Sequence, residues 1–249
     1  MHSYQYYIIL VSFLFLNTSC AKVNHVADVN SRNYRIEKAS FPVDTKVAAM
    51  IEPYKAKLDE TMNDVIGYNE VELTKGKPNS GLTNWFSDVL LEESQKLVTE
   101  KVDFAIQNYG GIRIPVLAQG NVTVGKIYEL MPFDNLMYIQ ELPGSVVLQL
   151  FDKIAESGGW PISHSVSMDI AYGKAKNIFI NGVALDTAKM YVAAIPDYIA
   201  NGGDNMIFLK DVKTTNTNAL IRDLLINNIR FNTSQGRNIK SNPTPRIKD

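Results

Sequence analysis

With 249 residues, 45% of them hydrophobic, the chain carries enough apolar material for one substantial core or two small ones, which excludes an intrinsically disordered protein. Lys and Arg number 25 against 26 Asp and Glu, so a net charge of -1 offers no basic surplus for a phosphate backbone and argues against non-specific nucleic-acid binding; no nucleic acid is expected as a partner. A single cysteine rules out an intrachain disulfide framework and a paired-thiolate zinc site, and three histidines (His2, His25 and His164) are too few for a metal centre that needs several.

Residues 7–16 are apolar apart from Ser12 and run into Asn17-Thr18-Ser19-Cys20. That length suits the h-region of a secretory signal and is too short to span a bilayer. The lone cysteine stands where a signal peptidase would cut, and the segment resembles a bacterial lipoprotein signal with Cys20 as the lipidated residue. The other reading is an ordinary secretory signal with an incidental cysteine. The expectation is a signal peptide over 1–19, a polar tether over 20–44 and one folded domain over 45–249. The mature chain is then extracytoplasmic and anchored to a membrane, on its periplasmic or cell-surface side, because two or more acyl chains give stable attachment.

The folded part begins with a helical pattern over 47–66, with Pro53 as a kink or first-turn residue. Leu82, Trp85, Phe86, Val89, Leu90 and Leu97 recur at helical spacing, and Glu92 and Lys96 form a solvated i,i+4 pair on that helix. Residues 102–106 read as a buried strand and 136–142 as another. Val146, Val147, Leu150, Phe151 and Ile154 form the apolar face of a helix opened by Gly144-Ser145. Asn181-Gly182 between apolar runs in 177–185 predicts a hairpin, and 190–195 a further strand. Leu220, Ile221, Leu224, Leu225 and Ile229 predict a last helix before a Pro-containing basic tail. Irregular alternation of helices with strands, one hairpin included, predicts an α+β fold on a mixed β-sheet with packed helices.

Three loops carry chemistry in their composition. Asn108-Tyr109-Gly110-Gly111-Ile112-Arg113 follows a predicted strand; its glycines let a ligand approach main-chain N–H groups and Arg113 offers a fork to phosphate, although a tight loop capped by a surface charge fits as well. Pro132-Phe133-Asp134-Asn135 pairs an aromatic ring with an amide, or else places a core phenylalanine beside a turn. Residues 196–204 add Tyr198, a second Gly-Gly and Asp204, and taken alone they read as a polar loop.

In this order the three segments resemble the C-terminal, substrate-binding domain of the 5'-nucleotidase family, in which a strand leads into N-x-G-G-I-R, then P-F-x-N, a helix, an N-G hairpin and an A-N-G-G-D-like loop. The resemblance implies a domain that holds a nucleoside and helps hold a nucleotide's phosphate. By carry-over, Phe133 and Tyr198 would sandwich the base, with Tyr198 in place of the phenylalanine common there, Asn135 would meet its edge and Asp204 the ribose hydroxyls. Asn108, Arg113 and the Gly111 N–H would face the phosphate. The chain departs from the family in reading Asn79-Ser80-Gly81-Leu82-Thr83-Asn84 where E-[ST]-x-L-G-N is usual and Asp204-Asn205-Met206 where glycine and an aromatic are usual. Lys75 and Lys77 are the nearby candidates for the family's extra arginines.

Full-length members carry an N-terminal metallophosphatase domain with D-x-H, G-N-H-[DE] and G-H-x-H motifs, none of which occurs in this sequence. His164 reads as a surface or hairpin residue. The chain itself is therefore expected to need no cofactor and to supply no catalytic residue, with divalent metals in a separately encoded partner metallophosphatase. Three functional readings stay open: the nucleotide- or nucleoside-binding half of a split 5'-nucleotidase, a non-catalytic nucleotide- or nucleoside-binding surface lipoprotein, and a surface domain that kept the fold and lost the ligand.

Overall fold

The structure, a computed structural model, describes residues 31–33, 43–240 and 242–248. The expected signal peptide, Cys20 and most of the tether lie outside them. Residues 50–249 form one compact unit; of the unit 1–49, residues 31–33 and 43–49 are described.

Helix α1 covers Thr45–Met62, with Pro53 inside it and no buried residue. It ends four residues before the predicted 47–66 limit, because Val65–Asn69 is strand β1, paired antiparallel with β5 (Gly120–Thr123). The apolar spacing of Val65 and Ile66 continues the helical pattern, and a pairing partner more than fifty residues away decides against it. Strands β2 (Leu73–Thr74) and β4 (Val116–Leu117) form a second short pair.

Helix α2 spans Gly81–Leu97. Ser80 caps it: its Oγ accepts from the Thr83 N–H at 3.3 Å and the Thr83 hydroxyl accepts from the Ser80 N–H at 3.0 Å. Thr83, where the resemblance calls for glycine, therefore closes a capping box. After β3 (Phe104–Ala105) come a one-turn 3₁₀ helix (Tyr109–Gly111) and α3 (Val124–Leu130). Strand β6 (Leu136–Pro143) and helix α4 (Gly144–Glu156) follow where the pattern placed them.

Strands β7 (Val166–Ala171), β8 (Lys174–Ile180) and β9 (Val183–Ala184) make antiparallel pairs. Asn181 and Gly182 join β8 to β9 with φ of 53° and 75°, the two successive positive values that a tight hairpin turn demands. Strand β10 (Met190–Pro196), the short helix α5 (Asp197–Ala200), β11 (Thr214–Leu220), α6 (Ile221–Ser234) and β12 (Ile247–Lys248) complete the order.

The central sheet runs β11-β6-β10-β3, antiparallel except for the parallel β10–β3 pair, so the sheet is mixed and the fold α+β as expected. Its side chains alternate between two apolar cores. Ala105, Met137, Ile139 and Ala194 enter the core shared with α2 and α6, while Phe104, Leu142, Ala193 and Ile195 enter the one under α4 and the β7–β9 hairpins. In the second core the Phe104 and Phe151 rings lie 5.4 Å apart, tilted by 44°, an arrangement worth about 0.5–1.5 kcal/mol beyond area burial.

The tail past α6 is not the loose basic extension that its composition suggests. Strand β12 pairs in parallel with β7, and Arg246 is 3% exposed. Its guanidinium donates to the Asn84 carbonyl and Ser87 Oγ at 3.2 Å, to the Ile162 carbonyl at 2.5 Å and to Asp88 Oδ2 at 2.5 Å. Asn79 Oδ1 accepts from the Arg246 and Ile247 N–H groups at 2.9 Å, and Asn84 Nδ2 donates to the Asn242 carbonyl at 2.8 Å. The amides of the Asn79–Asn84 segment thus serve the tail.

Removing the Arg246 head group takes a charged donor from four acceptors and leaves Asp88 without its cation. Breaking a buried pair costs about 3–5 kcal/mol when both partners are enclosed, and Asp88 is only partly so. Arg246→Ala should cost about 2–3 kcal/mol and lower the melting temperature by about 5–10 °C, against a shift near zero for the exposed Lys248→Ala, read by differential scanning calorimetry.

Candidate functional site

Because β3 runs parallel to β10 and β6 antiparallel to it, the C-terminal ends of β3 and β10 and the N-terminal end of β6 share one edge of the sheet; Pro196 pairs with Met137 there. The three chemistry-bearing loops leave from that edge. They enclose a cavity of about 500 Å³ lined by Asn108, Gly110, Gly111, Arg113, Phe133, Asp134, Asn135, Tyr198 and Asp204. All seven residues singled out from the sequence as ligand contacts line it together. The volume lies in the range of small-molecule pockets.

Phe133 is 40% exposed and Tyr198 47%, so two large rings stand half open in the cavity wall. The competing view of Phe133 as a core residue is ruled out by that exposure. Its loop is held from below by Arg222, which opens α6 and was not foreseen. Only 8% of that side chain is exposed; it donates to the Phe133 carbonyl at 3.3 Å and to Asp134 Oδ1 at 2.8 Å, with its charge 4.0 Å from the Tyr128 ring centroid. The Ile221 N–H adds a bond to the Asn135 carbonyl at 3.0 Å. An arginine in the first turn of a helix reads as solvated in sequence, and only the burial of its face reveals the role.

Arg113 lines the cavity, and Lys75 and Lys77 stand beside the neighbouring Tyr109 ring. Arg113 donates to the Gly110 carbonyl at 3.1 Å, and its guanidinium lies 5.4 Å from the Phe133 ring centroid. Lys75 and Lys77 place their ammonium groups 3.9 Å and 4.8 Å from the Tyr109 ring centroid, and Lys75 also donates to the Ile112 carbonyl at 2.7 Å. Among the described residues no carboxylate forms an ion pair with any of the three. Burial, then the charges of Arg113 and Lys77, hold the Lys75 ammonium below the usual lysine pKa. The Gly111 N–H is already donated to the Asn108 carbonyl at 2.9 Å, inside the 3₁₀ turn. Its expected place as a phosphate donor is thus taken in this structure.

The 196–204 segment carries carboxylates bound to neutral groups. Asp204 accepts from Asn108 Nδ2 and from the Tyr198 hydroxyl, each at 3.0 Å. Asn108 Oδ1 in turn accepts from Gln107 Nε2 at 2.8 Å. Asp197, also unforeseen, accepts at one oxygen from Asn135 Nδ2 and from the Tyr198 N–H, both at 2.7 Å. Gly203 makes this packing possible: a Cβ there would stand 2.5 Å from Tyr198 Cζ.

His164 lies away from the cavity, 63% exposed, with Nδ1 3.0 Å from Asp88 Oδ1. Among the described residues no group of three or more His, Cys, Asp or Glu could hold a metal ion, so the residues present do not fit a dinuclear centre. Nor is any described helix long and apolar enough to cross a membrane.

The profile of the family "5'-nucleotidase, C-terminal domain" matches residues 60–211. A 5'-nucleotidase of Vibrio vulnificus is 28% identical over 184 residues, which cover 71% of this chain and 32% of that protein. UshA of Escherichia coli is 31% identical over 106 residues, covering 41% of this chain and 19% of that one. The chain thus spans about a third or less of the length of the curated relatives it matches. The crystal structure of a 5'-nucleotidase precursor from Thermus thermophilus shares the fold, with a TM-score of 0.67 at 22% identity over 84% of this chain and 44% of that one. With the family profile covering more than half of its length and the matched motifs converging on one cavity, the chain belongs to the 5'-nucleotidase C-terminal domain family.

Proposed function

We propose that the cavity takes a nucleoside or nucleotide and that the chain is the nucleotide-binding half of a split 5'-nucleotidase. One observation carries the reading: two half-exposed rings share a cavity with the Arg113 guanidinium and with Asp204, whose carboxylate the Asn108 amide and the Tyr198 hydroxyl tether. An aromatic base has faces for the rings, a phosphate has charge for Arg113, Lys75 and Lys77, and a ribose has hydroxyls for Asp204. Asn135 meets the base edge. Nothing in this chain activates water in the proposal. Binding and orientation are its share, and hydrolysis of the phosphate ester belongs to a metallophosphatase that brings its own divalent metals. The apolar side chains of Met50, Ile51, Tyr54 and Leu58, all more than half exposed on α1, offer such a partner a surface. Lipidation at Cys20 would keep the assembly on a membrane, on its periplasmic or cell-surface side.

The stack is tested by Phe133→Ala. Base stacking on a ring is worth about 1–3 kcal/mol, so adenosine affinity should fall by about one to two orders of magnitude in calorimetric titration. A ring this exposed holds little of the core, so the melting temperature should move by no more than a few degrees. Full affinity in the variant removes the ring from the site.

The anion end has a pH signature. A bound phosphate adds the opposite charge beside Lys75 and raises its depressed pKa, so binding is favoured where Lys75 is protonated and fades as pH rises through that lowered value. Measured upward from neutrality, above the second phosphate ionisation near about 6, the ratio of AMP to adenosine affinity should fall sooner than an ordinary lysine would allow. Lys75→Met should lower that ratio and flatten its slope.

For the division of labour, the purified chain from Cys20 onward is expected to hydrolyse no AMP with Mn²⁺ or Zn²⁺ and to gain the activity when a metallophosphatase lacking its own binding domain is added. EDTA-sensitive hydrolysis by the chain alone would overturn the split arrangement. Binding with no activation by any such partner would leave a non-catalytic nucleotide- or nucleoside-binding lipoprotein. Cys20→Ala should move the protein from the membrane fraction to the soluble one.

A further inference from the structure

The sequence places a tyrosine at 198 where the resemblance calls for a phenylalanine, and its hydroxyl is not idle. It donates to Asp204 Oδ1 at 3.0 Å and lies 3.4 Å from the Asp204 N–H, close enough to accept from it and close a small ring of bonds. Asp204 sits at φ 49° and ψ 36°, a left-handed conformation that an aspartate adopts at some cost and holds only when its surroundings fix it. Tyr198 fixes it from one side. Asn108 fixes it from the other, and an ionised carboxylate can only accept, so the Asn108 amide must turn its NH₂ toward Asp204. Gln107, 1% exposed, fills the other end of that amide.

The remaining capacity of Asp204 follows from counting. A carboxylate has about four accepting positions, two per oxygen. Tyr198 uses one on Oδ1 and Asn108 one on Oδ2, which leaves one free on each oxygen. Two adjacent acceptors of fixed orientation match two adjacent donors, the cis-2',3'-diol of a ribose. The same tyrosine ring is pressed against the Gly203 backbone on one side and is 47% exposed, so ring and carboxylate are set by a single side chain.

We propose that the Tyr198 hydroxyl is a specificity-determining positioning group that holds Asp204 ready for a vicinal diol, so that the site selects ribonucleosides over 2'-deoxyribonucleosides. The inference rests on the nucleoside-binding reading above and goes beyond it in naming what the hydroxyl adds to a ring that would stack equally well without it. A packing role alone would change affinity for both sugars alike; a positioning role changes their ratio.

The experiment is calorimetric titration of adenosine and 2'-deoxyadenosine into the full chain, into Tyr198→Phe, into Asp204→Asn and into the double variant, with melting curves on each. The wild-type protein should prefer adenosine, and Tyr198→Phe should cut the adenosine-to-deoxyadenosine affinity ratio about fivefold, the worth of one ordinary hydrogen bond. Asp204→Asn should cut the ratio further, and adding Tyr198→Phe to it should change the ratio no more, because the hydroxyl acts only through the carboxylate. A wild-type ratio in Tyr198→Phe overturns the proposal, whether or not both affinities drop. So does a ribose preference that Tyr198→Phe reduces equally with and without Asp204. Wild-type binding of adenosine with no preference overturns it while sparing the site reading, whereas no binding of either nucleoside overturns both.

Discussion

Strand β10 pairs in two directions at once, antiparallel with β6 and parallel with β3, and the geometry of the cavity depends on that arrangement. A purely antiparallel meander would send successive loops to opposite edges of the sheet. Here the parallel pair and the reversed β6 bring two strand exits and one strand entry to a single edge, and with them residues separated by about a hundred positions. The alternation of β10 into both cores, Ala194 to one and Ala193 with Ile195 to the other, leaves that strand no freedom to slip. The loops vary in composition, but their meeting point is set by backbone pairing.

Charge around the cavity is left unpaired across its loops. Arg113, Lys75 and Lys77 have no carboxylate ion-pair partner among the described residues, and Asp204 and Asp197 are satisfied by amides and a hydroxyl. Burial, with Arg113 and Lys77 close by, holds Lys75 below its ordinary pKa. The two rings are sequence-distant but mechanically supported: Phe133 through the buried Arg222, and Tyr198 through Gly203 and Asp197.

Much of this was legible in the residues, and the parts that were not share a cause. Helix α4 and strand β10 follow from the residues themselves, because their apolar side chains repeat in a pattern or run that burial requires. Strands β1, β11 and β12 carry weak local patterns and exist because of partners far along the chain; β11 is mostly exposed along its length. The cavity loops announced themselves through Gly-Gly turns and aromatics out of place. Arg222, Asp197 and Arg246 did not, since charged residues look solvated until a fold closes over them. Gly111 shows the reverse: its glycine was readable, but the carbonyl that takes its N–H lies within its own turn.

The position of Arg246 has a consequence for how the molecule comes into being. Its guanidinium joins α2, deep in one apolar core, to the Ile162 carbonyl beside the other, and the strand that follows it completes the outer hairpin sheet. Contacts spanning some 160 residues are the slowest to form, because the loop they close must be drawn in before they give anything back. Neither those bonds nor the pairing of β12 with β7, which places Ile247 in the second core, exists until residues 246–248 have joined the chain, so the last described residues complete the fold.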